Sequence, residues 1–140
     1  MNKITKTIVS SRVKPTKVSL ADVEIKDRPD RLTGSTYKLK PGEHALYITI
    51  NNVEINGKWH PYEIFINTKD SHDYQWVMLF CRMASAIFKR SDDYLFLIEE
   101  MKCIIDPTGG FFLKGRGHVQ SLVAEIGRII ENHITQLNKD

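Results

Sequence analysis

The chain has 140 residues, 41% of them hydrophobic and 26% charged, with 20 basic and 17 acidic side chains. That length suits one domain able to bury roughly two-thirds of its unfolded surface, and the near-average composition excludes a collagen-like, wholly disordered or disulfide-scaffold chain. No apolar run approaches the ~20 residues of a membrane span and the N-terminus shows no apolar signal segment, so a cytoplasmic protein without membrane contact is expected.

The net charge of +3 is unevenly placed. Residues 1–40 hold ten Lys/Arg and four Asp/Glu, whereas residues 41–140 hold ten and thirteen, so a +6 segment precedes a −3 remainder. Residues 1–31 lack aromatics, and their apolar side chains are scattered between charges. Such a stretch cannot bury enough surface to offset its ordering entropy and reads as a flexible basic N-terminal arm, with a short strand over Val18–Ile25 left open. Docking to an acidic partner and simple solubilisation are both consistent with it. Residues 32–140 form the single folded domain.

Within that domain, Thr36–Leu39 is a short β-prone run stopped at Pro41-Gly42. His44–Ile55 alternates, with Leu46, Ile48 and Ile50 on one side and Tyr47 and Thr49 on the other. Asn56-Gly57 supplies a tight turn, and Trp59–Asn67 returns as the partner strand, with Pro61 marking an edge or a bulge. A helix capped by Asp70 or Ser71 then runs to about Lys89, burying the stripe Trp76, Val77, Phe80, Cys81, Ala84 and Phe88. A second starts at Ser91 with Asp92-Asp93, carries Tyr94, Leu97, Ile98, Met101, Ile104 and Ile105, and ends at Asp106-Pro107. A third follows a glycine-rich loop and carries Val119, Leu122, Val123, Ile126, Ile130 and Ile134. Strands first and helices afterwards predict an α+β fold: a hairpin-rich antiparallel sheet of about three strands, followed by three helices packed on one face.

The loop from Pro107 to His118 holds four of the eight glycines, two cations and the pair Phe111-Phe112, directly before a helix. Glycine lets backbone N–H groups approach an anion, and a helix N-terminus with Lys and Arg favours negative charge. Gly109, Gly110, Lys114, Gly115, Arg116, Gly117 and His118 are therefore the candidate anion- or partner-binding residues. A structural loop whose phenylalanines dock on the core fits equally, and neither standard nucleotide-loop pattern is present.

Other chemistry finds little support. Cys81 and Cys103 stand 22 residues apart without a CxxC pair, and both fall in apolar helical patterns, as small buried hydrophobes in a reducing cytosol would. His44, His60, His72, His118 and His133 show no zinc spacing, so no metal and no cofactor are expected. There is no nucleophile elbow, and burial would raise the Cys81 pKa, so no catalytic residue is assigned. Glu63 with Asp70 or Asp73 is a candidate carboxylate group, set against a solvated strand face and a helix cap. Tyr37, Tyr47, Tyr62 and Phe65 are candidate stacking platforms for single-stranded nucleic acid, although the basic residues are not interleaved with them.

Several segments taken together resemble a known family. Arg28-Pro29-Asp30-Arg31-Leu32-Thr33-Gly34-Ser35-Thr36-Tyr37-Lys38 is similar to the start of the TSCPD-type C-terminal accessory domain of adenosylcobalamin-dependent (class II) ribonucleotide reductases. The strands Tyr47–Asn51 and Tyr62–Asn67, then Asp106-Pro107-Thr108-Gly109-Gly110 and Ser121–Gly127, continue the likeness over about residues 28–135. In that family the domain follows a large catalytic barrel with the radical cysteine and the cobalamin and substrate sites, which 140 residues cannot enclose, and in many relatives a cysteine-rich tail follows it. The resemblance thus implies a fold and a pathway, deoxyribonucleotide synthesis, and transfers no catalytic residue. The function it implies is a stand-alone, non-catalytic accessory or regulatory domain whose partner is a reductase catalytic chain, with the arm in the place of the covalent linker. The alternatives are a small anion- or nucleotide-binding module using residues 107–118, or a single-stranded nucleic-acid binder. A homodimer through an edge strand or a helix face stays open.

Overall fold

A computed structural model describes residues 27–70 and 72–139. The basic arm up to residue 26, with the strand considered at Val18–Ile25, lies outside the described residues, as do Ser71 and Asp140.

Strands β1 (Thr33–Leu39), β2 (Leu46–Ile55) and β3 (Lys58–Thr68) form an antiparallel sheet in the order β1-β2-β3, with β1 starting three residues earlier than its β-prone run suggested. The alternation in β2 holds, because Leu46, Ile48 and Ile50 are buried while Tyr47 is exposed. Asn56 and Gly57 take φ of 51° and 79°, the left-handed values of a tight hairpin turn. Pro61 sits at a bulge, where the register shifts so that Asn51 faces Glu63 and Asn52 faces Pro61. A broken ladder tolerates a residue without an N–H.

Edge strand β3 is covered by helix α1 (Tyr74–Arg90), whose Ser85 hydroxyl accepts from the Ile64 amide at 3.0 Å. A covered edge offers no template for another strand. The expected cap is corrected. Asp73 occupies the N-cap without a side-chain bond, and Asp70 instead accepts from the His72 amide at 3.0 Å, closing a turn ahead of the helix. The apolar stripe begins later than expected too. Cys81, Ala84 and Phe88 are buried and Val77 and Phe80 partly so, but Trp76 is 64% exposed, because α1 meets the core only from Val77 onward.

Helix α2 is shorter than its apolar pattern, spanning Leu95–Lys102. Ile104 and Ile105, assigned to its stripe, are exposed, the latter at 70%. The cause lies far along the chain. The Gln120 amide donates to the carbonyls of Lys102 and Ile104, the Ser121 hydroxyl donates to Ile104 at 2.6 Å, and the Asp106 amide bonds the Gln120 carbonyl at 3.0 Å. These bonds satisfy the orphan carbonyls of the helix end and lead the chain away.

The glycine-rich segment is not an open loop before a helix. It forms a two-stranded hairpin, β4 (Phe111–Leu113) with β5 (Gly117–Val119). Gly110 has a φ of 75°, and a Cβ there would run into the Val119 carbonyl, so the hairpin starts on a residue that must be glycine. Only one phenylalanine docks: Phe111 packs on the core and Phe112 is 74% exposed. Val119 belongs to β5 rather than to the third helix.

That helix, α3 (Leu122–Leu137), begins behind Ser121, whose hydroxyl accepts from the Ala124 amide at 3.0 Å. It buries Ile126, Ile129 and Ile130 and crosses close to α2, where a Cβ on Gly127 would come within 3.0 Å of Met101 Cβ. The core lies between the inner sheet face and the three helices, while Tyr47 and Phe65 remain exposed on the outer face. The fold is α+β, as the chain order predicted, with a small hairpin inserted between α2 and α3. Among the described residues no helix is long and apolar enough to cross a membrane.

Candidate functional site

The hairpin separates the seven candidate residues into two groups. Gly109 and Gly110 lie at its base, where the Gly109 carbonyl accepts from the His118 Nε2–H, and Gly117 pairs with Leu113 at the opposite end, next to the turn. Lys114, Gly115 and Arg116 form the tip, closed by the Arg116 amide donating to Leu113 at 3.1 Å. The amides expected to face an anion are thus partly committed to the turn, and Ser121 caps the helix five residues beyond Arg116. What reaches outward from the tip is side-chain charge.

One buried carboxylate organises that charge. Glu125, in the first turn of α3, is 1% exposed and accepts from Arg128 at 3.0 Å (Nε) and 2.6 Å (Nη2) through Oε1. Its Oε2 lies 3.0 Å from Arg116 Nη2, an ion pair whose angle falls short of a formal hydrogen bond. A buried carboxylate is tolerated only when paired, so Glu125 ties the hairpin tip to α3. Around the pair lies a depression of about 410 Å³ lined by Lys40, Lys114, Arg116, Arg128 and Glu125 among others. Sequence reasoning missed Lys40, Glu125 and Arg128. The apolar residues flanking Glu125 hinted at a buried position, but its partners are visible only in three dimensions.

The other polar candidates serve the fold. Glu63 is buried, and its partners are Arg28, at 2.7 Å and 3.0 Å, and Asn51, at 2.9 Å, rather than Asp70 or Asp73. Burial pushes its carboxyl up, but the hydrogen bonds from Arg28 and Asn51 outweigh that and hold it below the usual range. Of the four aromatic candidates, Tyr62 is buried with Lys89 over its ring at 4.9 Å, and Tyr37 is half-buried against His133, so only Tyr47 and Phe65 stay outside. Cys81 is buried and its thiol pushed up, as its position on the apolar stripe implied. Cys103 is exposed at the end of α2, contrary to expectation, because the helix stops there. Among the described residues no group of three or more His, Cys, Asp or Glu is placed to hold a metal.

His133 is the core latch that its sequence position three residues after Ile130 could have revealed. Buried on α3, its Nε2–H donates to Asn52 Oδ1 at 2.7 Å and its Nδ1 accepts from the Tyr37 hydroxyl at 2.6 Å, so the neutral ring satisfies both strands. Burial lowers the pKa of His133, and likewise of His60, below the ordinary 6.5. Depressed histidines contribute stability that is complete above the unfolded pKa and lost as pH falls toward the folded one. Urea unfolding should therefore show a plateau around pH 7 to 8 and a decline below about 6.5, to which His133 contributes up to about 1.4 kcal/mol per pH unit and the more exposed His60 less. His133→Gln should remove its share of the slope. A flat profile down to about pH 5 would contradict the neutral latch.

Comparison with known proteins gives one match. A family model described as TSCPD domain matches residues 13–134, beginning earlier than the likeness seen from residue 28. No curated protein and no solved structure matches the chain.

Proposed function

The chain belongs to the TSCPD domain family, and on that premise we propose that it is a non-catalytic accessory domain of the ribonucleotide reductase system that acts by binding a reductase catalytic chain. The observation that carries this reading is the extent of the match, which takes in the whole sheet, the hairpin, α1, α2 and most of α3. Its work in this reading is deoxyribonucleotide synthesis in the cytoplasm.

Two features of the fold support a binding role. The buried ionisable groups Glu63, Glu125 and His133 are spent on joining elements. In addition, α1 leaves Trp76, Leu79 and Met83 exposed at helical spacing, an apolar strip that a soluble surface does not need. The partner in this reading covers that strip.

The test is a ribonucleotide reduction assay in which the full chain is titrated into an adenosylcobalamin-dependent catalytic chain from the same cell. A saturable change in turnover is expected, with none from Trp76→Asp combined with Met83→Asp. Turnover unaffected by any concentration of the chain, with and without nucleotides, would refute the role.

A further inference from the structure

We propose that the face formed by the hairpin tip, the end of β1 and the first half of α3 binds an oligophosphate, a chain of two or more phosphate groups such as the tail of a nucleoside triphosphate. Four cations from three separate segments line the depression there: Lys40, Lys114, Arg116 and Arg128. Lys38, next to Lys40 at the end of β1, lines the depression as well. Residues 32–140, which contain all of them, hold twelve Lys/Arg against thirteen Asp/Glu, so the concentration is not a by-product of a basic domain.

Among the described residues the one carboxylate lining the depression, Glu125, is already consumed. Both Glu125 oxygens face arginines inside the fold, while the Arg116 and Arg128 side chains remain 41% and 32% exposed. A guanidinium carries five N–H donors. Glu125 engages one nitrogen of Arg116 and two of Arg128, so donors on both are left pointing elsewhere, and the buried anchor holds the two forks in fixed positions. Among the described residues neither Lys40 nor Lys114 forms an ion pair. His118 is excluded, since its Nε2–H is taken by Gly109.

Size points to more than one phosphate. A second depression, of about 280 Å³, adjoins the first and shares Arg116, Glu125 and Arg128 with it. Lys102 at its far side is held by Glu131 at 2.7 Å. Arg116, Glu125 and Arg128 are thus common to both hollows, a layout suited to an extended anion, and positioned guanidiniums match phosphate oxygens two at a time. A single carboxylate uses only part of this array.

Isothermal titration calorimetry of the full chain with inorganic tripolyphosphate, ATP and sulfate tests the proposal, and it does so independently of any reductase. Tripolyphosphate and ATP should both saturate one site, with sulfate at least tenfold weaker. Lys40→Ala with Lys114→Ala should weaken both by at least tenfold while leaving the circular dichroism melt in place, because both lysines are exposed. Affinity should also fall as salt rises. The proposal is overturned by absence of saturable tripolyphosphate binding, by an unchanged affinity in the double variant, or by a glutamate-rich peptide binding more tightly than tripolyphosphate. ATP binding without tripolyphosphate binding would equally overturn it, since recognition would then rest on the nucleoside.

Discussion

Phe88→Ala is expected to lower the unfolding free energy by about 3–5 kcal/mol, the range for emptying a fully buried aromatic site. Phe88 has no exposed surface and sits in the last turn of α1. Its ring meets that of Tyr94 edge-on, with centroids 5.4 Å apart and planes at 88°, an arrangement that adds to area burial. The pair spans the turn between α1 and α2, so its loss loosens both helices on the sheet. Trp76→Ala on the same helix should change stability by no more than about 0.5 kcal/mol, because that ring is already in water. Urea denaturation of both variants reads the contrast directly. Equal losses would mean that α1 presents a different face to the core.

The second large effect is expected from Arg116→Ala combined with Arg128→Ala. The Glu125 carboxylate would then stand in the interior without a cation, and stranding a buried charge costs about 3–5 kcal/mol. Either single variant should cost clearly less than half of that, since the remaining arginine still neutralises the carboxylate, so the losses are not additive. Adding Glu125→Gln to the double variant should recover most of the stability by removing the charge itself. Chemical denaturation at neutral pH of all four variants checks the cycle. A double variant as stable as the parent would show that Glu125 is reached by water.

Local pattern was enough for part of this fold. The alternation in β2, the Asn56-Gly57 turn and the Ile126–Ile130 stripe are signals carried by neighbouring residues, and each appears where the pattern put it. The failures share a physical cause. α2 stops at Lys102 because Gln120 and Ser121 take the carbonyls of Lys102 and Ile104, a tertiary contact that the apolar stripe continuing to Ile105 cannot announce. The β4–β5 hairpin has three-residue strands, too short for a period-2 signal, and Gly110, Gly115 and Gly117 take positive φ in and beside it. In the candidate site, Lys114 and Arg116 were legible as cations in an unusual loop. Lys40, Glu125 and Arg128 join them only after β1 and α3 are packed, because buried polar residues take their meaning from partners distant in sequence.

The central claim is that this domain works by binding a reductase catalytic chain. Sedimentation velocity of the full chain mixed with an adenosylcobalamin-dependent catalytic chain, over rising concentration and with nucleotide present, measures that claim most directly. The account predicts a saturable complex of defined stoichiometry that Trp76→Asp with Met83→Asp weakens at least tenfold, about 1.4 kcal/mol of binding free energy. Two species sedimenting independently at every concentration would contradict it.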